Sequence, residues 1–174
     1  MTTLFCSHKL ERFFGKVDPY LEPDYGNKFG NWNGHLFTIE RKKFLLFTND
    51  KTAYSFVLAD IKKADLKDFD NLFKEALIRQ LDFDLRINER QEIEIRTALM
   101  DLRLTKTNNN RSILGTMNEF ISIIKLVVYQ RGSPESISSV KLGYGLNNYF
   151  VGTKLPGSTK KYAVPKELML ALLR

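Results

Sequence analysis

The side chains best suited to chemistry cluster in one stretch of this chain, Leu104–Phe120, with the sequence LTKTNNNRSILGTMNEF. Lys106, Asn108, Asn110, Arg111, Thr116, Asn118 and Glu119 bring two cations, three amides, a hydroxyl and a carboxylate into fourteen residues. That set suits a polar pocket for an anion or a small polar ligand. It lies where a strand end, a loop and a helix start would leave backbone N–H groups pointing outward. Glu119 is the one carboxylate of the group, and a carboxylate without a partner is an incomplete acid–base device. Binding is therefore the expectation here, and no catalytic residue is assigned.

Other reactive types are sparse. Cys6, His8 and His35 are the only cysteine and histidines. A zinc site normally needs three or four converging ligands, so neither a metal nor another cofactor is expected. In Cys6-Ser7-His8 a thiol and an imidazole are two residues apart, but residues so spaced on a strand merely share a face, and no third group orients them. Cys6 reads as a small buried apolar side chain. No Gly-x-x-x-x-Gly-Lys-Ser/Thr or Gly-x-Gly-x-x-Gly occurs to cradle a nucleotide. Two basic groups suit phosphates instead. Arg41, Lys42 and Lys43 follow aromatic Trp32 and Phe37 and precede Tyr54 and Phe56, a mixture that can neutralise and stack on a single strand. Lys154, Lys160 and Lys161 lie in a Pro/Gly/Ser loop able to follow a phosphate backbone. Most of the aromatics should face the core, with loop residue Trp32 the exception.

These residues need elements to position them. Thr2–Cys6 reads as a strand, Lys9–Phe14 as a short helix, and 18–34 as a long polar loop. Leu36–Glu40, Phe44–Thr48 and Ala53–Leu58 are apolar, β-branched and aromatic runs separated by polar triplets, the pattern of an antiparallel meander. Residues 66–81 repeat apolar side chains at helical spacing, and 86–100 also reads as helix. A strand follows at 101–106. Leu114, Met117, Phe120, Ile124 and Val127 then share one face of a helix over 113–129, with Ser112 as its expected N-cap. Gly115 in its first turn costs about 1 kcal/mol relative to Ala. Either tight packing on the meander or a ligand's approach would account for it, and packing is the commoner cause. Ser133 and Pro134 announce a further helix fading near Gly143 and Gly145, and 165–173 a terminal one. The expected fold is α+β: an antiparallel sheet with amphipathic helices on one face.

The chain has 174 residues, enough for one domain that needs no disulfide or metal to stand. We expect a core over 1–132 and a basic, mostly helical extension over 133–174 packed on it. No basic-headed apolar leader opens the sequence, and no run approaches the ~18 consecutive apolar residues of a membrane span. A cytoplasmic protein without membrane contact is the resulting expectation. The net charge of +7 is uneven. Residues 1–120 carry 19 Lys/Arg against 18 Asp/Glu, whereas residues 121–174 carry 8 against 2. Such asymmetry suits a polyanion or an acidic partner.

Two segments carry a family resemblance. Trp32, Leu36 and Phe37 lead into the basic Arg41-Lys42, and Asn110-Arg111-Ser112, Leu114-Gly115-Thr116-Met117-Asn118 opens a helix. With the early Lys9-Leu10 pair, this resembles the bacterial family known as domain of unknown function 6933. Thr116 stands where that family usually has Ser, and Glu119 where Asp often follows. The resemblance covers roughly residues 1–132 and more loosely the rest. It implies no activity. The residues themselves lead to a nucleic-acid- or polyanion-binding module acting through the basic C-terminal surface. The alternatives are docking of an acidic protein, or a small ligand or enzyme pocket at Lys106–Glu119.

Overall fold

A short strand, β1 (Thr2–Cys6), lies inside the sheet with a parallel neighbour on each side. In this computed structural model, which describes residues 1–20, 22, 24, 26–152 and 161–174, five strands run in the order β4-β3-β2-β1-β5. The meander forms as its pattern predicts: β2 (Trp32–Ile39), β3 (Lys42–Asn49) and β4 (Ser55–Leu58) pair antiparallel. Glu40 and Arg41 make the first hairpin turn with both φ values positive, the geometry that matches strand twist, so Lys42 and Lys43 belong to β3 itself. Because β5 (Leu102–Lys106) is parallel to β1, the sheet is mixed. The α+β class stands.

Helices cover both faces of the sheet, not one. Leu4, Cys6, Leu45, Phe47, Phe56 and Leu58 pack against Leu10 of α1 (His8–Phe14), against Phe69, Phe73, Leu77 and Leu81 of α2 (Phe69–Leu85), and against Ile95 of α3 (Glu89–Ala98). Phe47, Phe56 and Trp32 meet the Phe73 ring edge-on at centroid distances of 5.0–5.7 Å, which favours the ring quadrupoles. Phe37, Phe44, Leu46 and Val57 face the opposite way. They meet Met117, Phe120, Ile124 and Val128 of α4 (Arg111–Arg131) and Leu142 and Leu146 of α5 (Ser139–Asn147). Val127, expected inside, is only half-buried. By length and composition α4 could cross a bilayer, yet the same apolar stripe is what closes this second core. The C-terminal segment serves both cores, since α6 (Pro165–Leu172) adds Met169 to the first. A two-stranded ribbon, β6 (Val151–Gly152) with β7 (Tyr162–Ala163), precedes α6.

Several local expectations change. The cap of α4 is Asn110, whose Oδ1 accepts from the N–H groups of Ser112 (3.2 Å) and Ile113 (3.3 Å), so Ser112 lies inside the first turn. Trp32 is 2% exposed, because it opens β2 rather than lying in the loop. Ser133 caps only a three-residue turn, Pro134–Ser136. Ile137 is extended (φ −116°, ψ 124°), so α5 starts at Ser139 and continues through Gly143 and Gly145 to Asn147. Gly115 is exposed, and a Cβ placed there would meet nothing within 4 Å. Tight packing does not explain it.

Candidate anion-binding groove

The unequal lengths of β1 and β2 open a groove at the sheet. β1 pairs with β2 from Leu4 opposite Trp32 to Cys6 opposite Gly34, and the Ser7 N–H then donates to the Gly34 carbonyl (2.9 Å). Beyond that point β2 continues to Ile39 with β3 on one side and, among the described residues, no strand on the other. Backbone groups alternate sides along a strand, so the N–H and C=O of Leu36 and Thr38 point the way Gly34's do, towards the vacated edge. The chain turns there into α1. Ser7 caps it by accepting the Leu10 N–H (3.4 Å). Leu10 packs onto Gly34, where a Cβ would lie 2.7 Å from a Leu10 methyl, so the glycine admits the helix. With Leu10 turned inward, Lys9 and Arg12, three apart, share another face of α1.

Between α1, the free edge of β2 and α4 lies an open cavity of about 370 Å³ lined by Lys9, Arg12, Leu36, Phe37, Thr38 and Lys125. Its three charged side chains are all cationic. Among the described residues none of them has a carboxylate within ion-pair distance. Glu11, the acid nearest in sequence, turns to His8 (3.7 Å) and Lys106 (4.0 Å) instead. The field acts on half-buried His35: burial lowers its pKa first, and the charges of Lys9 and Lys125 lower it further. A cleft with cations unneutralised and backbone donors at its floor is built to attract anions.

The residues singled out in the sequence fall in several places. Asn108 accepts the Asn110 N–H (3.1 Å), Asn110 caps α4, and Thr116 donates to the Ser112 carbonyl (3.2 Å), so these polar atoms serve the local backbone. Arg111, Asn118 and Glu119 are exposed on α4. Helical spacing aligns the first two with Lys125 and sets Glu119 one column over. Lys106 is exposed beside Glu11. Lys42 is neutralised by Glu135 (2.6 Å) and Asp60 (3.3 Å), and its bond holds the Glu135 carboxyl down at about 2. Lys43 lies over the Phe13 ring and Arg41 is exposed at the hairpin turn. Lys161 is exposed, while Lys154 and Lys160 lie outside the described residues.

Two features had no signal in the sequence. The groove is one, since Lys9, Arg12 and Lys125 look like ordinary surface charges until the fold joins them. The other is a buried polar cluster. The Asp84 carboxylate accepts from Tyr54 Oη (2.6 Å), Asn147 Nδ2 (2.8 Å) and Gln80 Nε2 (3.0 Å). Asn147 also accepts the Ser55 N–H (2.7 Å) and donates to the Ser55 carbonyl (2.8 Å), completing the edge strand β4 as a neighbouring strand would. Burial raises the Asp84 pKa despite these donors, and it raises that of Tyr54. Cys6 is buried, and burial, followed by the nearby Glu11 charge, pushes its thiol up to about 12. The thiol stays protonated, and His8 is exposed. Among the described residues no three Cys, His, Asp or Glu side chains are grouped to hold a metal ion.

The profile of a family described as Domain of unknown function (DUF6933) matches residues 3–168, nearly the whole chain. No curated protein and no solved structure matches it. The chain belongs to the DUF6933 family.

Proposed function

We propose that this DUF6933 protein is a binding module for phosphate-bearing polyanions, with the groove between α1 and α4 as the seat of the phosphates. One observation carries the reading: Lys9, Arg12 and Lys125 converge on an open cavity without an acidic partner among the described residues. Cations left unpaired beside one another repel, and an anion relieves that repulsion. The backbone N–H groups at the free β2 edge add donors that need no side chain. No catalytic step is assigned, because the lining offers three cations and the Thr38 hydroxyl but no carboxylate or imidazole to act as a base beside them. This keeps the polyanion reading of the sequence and moves its centre from the basic C-terminus to the α1–α4 cleft.

The free edge of β2 favours a second reading, an acidic extended segment of another protein that adds to the sheet beside Leu36–Thr38. Calorimetric titration with inorganic polyphosphate at low salt tests the first. Wild type should bind, and Lys9→Gln/Arg12→Gln/Lys125→Gln should lose most of the affinity with unchanged circular dichroism. Equal binding by the two proteins, or none by wild type, would remove the groove from the account.

A further inference from the structure

Resting on that reading, we infer that the polyanion is a single-stranded nucleic acid and that it runs from the groove along one exposed stripe of α4. Arg111, Gly115, Asn118, Ser122, Lys125 and Tyr129 follow one another at alternating steps of four and three, so they form one line down the helix. All six are exposed. The line is about 27 Å long at 1.5 Å per residue, room for several nucleotides. It carries positive charge at Arg111 and Lys125 and no carboxylate. Lys125 belongs both to the line and to the groove wall, so the two surfaces are continuous.

Two members of the line favour nucleic acid over a bare polyphosphate or an acidic peptide. Tyr129 is 85% exposed, a large ring standing off the helix. A ring so placed offers bases a stacking face regardless of their identity, the standard device of proteins that hold single strands. Gly115 is the second. It sits in the first turns of a 21-residue helix, where glycine is unfavourable, and among the described residues nothing packs against it. Its bare backbone leaves a notch between Arg111 and Asn118 that a strand can enter. Phosphates would then bind the cations while bases lie on Tyr129, which gives affinity with little sequence preference.

Fluorescence anisotropy with a labelled uridine oligomer, and with an abasic oligomer of equal phosphate count, tests this on the full chain. Wild type should hold the uridine oligomer more tightly than the abasic one. Tyr129→Ala should lower uridine affinity roughly 5- to 100-fold and leave abasic affinity unchanged, and Tyr129→Phe should restore it. Gly115→Gln should raise the melting temperature yet weaken oligomer binding; unchanged binding would overturn the path along α4. If uridine and abasic oligomers bind alike and Tyr129→Ala alters neither, the single-strand inference is wrong while the polyanion reading stands. If neither oligomer nor polyphosphate binds but an acidic peptide does, the polyanion reading itself fails.

Discussion

Removing the three groove cations should change the salt dependence of binding by a calculable amount. Each phosphate neutralised on a single strand releases counterions worth about 0.7 in the slope of log K against log salt. Lys9, Arg12 and Lys125 therefore account for a slope of about 2, and a rise from about 50 to 200 mM salt should weaken their share of binding roughly 20-fold. Lys9→Gln/Arg12→Gln/Lys125→Gln should flatten the slope by that amount. His35 adds a pH dependence of definite sign. In the free protein burial, Lys9 and Lys125 hold its pKa below the usual 6.5. A phosphate that neutralises those lysines raises it again, so binding takes up a proton and affinity increases as pH falls below about 6.5. The same depression means that the unfolded chain binds this proton more readily, so without ligand the fold loses stability as pH falls through that value. Anisotropy across four salt concentrations at pH 8 and pH 5.5, with His35→Gln as control, measures both effects. A slope unchanged by the triple substitution would refute the groove as the phosphate seat. A pH dependence unchanged by His35→Gln would refute the field argument.

The remaining predictions concern the frame that carries the groove and the stripe. Urea denaturation should place Asn110→Ala about 1 kcal/mol below wild type and Ser112→Ala close to it, because Asn110 supplies the cap; the reverse order would return the cap to Ser112. Gly115→Ala should stabilise by about 0.5–1 kcal/mol, since the added methyl meets open space in a helix; destabilisation would mean that backbone packs there after all. Asn147→Ala should cost about 2–5 kcal/mol, because it orphans both backbone groups of Ser55 and one bond to Asp84. The raised Asp84 pKa means its contribution is full below about 3.8 and is lost as pH rises through the folded-state value. Melting curves from pH 3.5 to 7 should therefore decline more for wild type than for Asp84→Asn, and parallel curves would contradict a perturbed carboxylate.

How far the sequence reaches is visible at β3. Its core, Phe44-Leu45-Leu46-Phe47, has no polar alternation, and such a run marks a strand buried on both faces. The second helical layer was thus legible there, although the alternating and amphipathic patterns elsewhere suggest one covered face. The cap of α4 was not legible to the residue. Asn108, Asn109, Asn110 and Ser112 are all good caps, and the choice depends on which one lies two and three residues before the first free N–H groups in extended geometry. Asn147 and Ser55 meet through tertiary structure alone, so no local pattern could pair them.

The groove was hidden for a different reason. Sequence arithmetic finds where charge is abundant, and that pointed to residues 121–174. A site needs charge that the fold leaves unneutralised in one place. Lys42 belongs to the most basic triplet of the chain, yet Glu135 of the turn after α4 and Asp60 just past β4 neutralise it. Lys125 is an unremarked residue of an amphipathic helix, yet among the described residues it has no ion-pair partner, because α4 lays it beside the end of a strand that stops short. The strand lengths themselves, five residues in β1 against eight in β2, carry that information. They become a groove only through the order of the sheet, which sets short β1 on the side of β2 that β3 does not cover. The parallel placement of β1 between β2 and β5 is therefore the step by which this sequence turns scattered surface lysines into a candidate site.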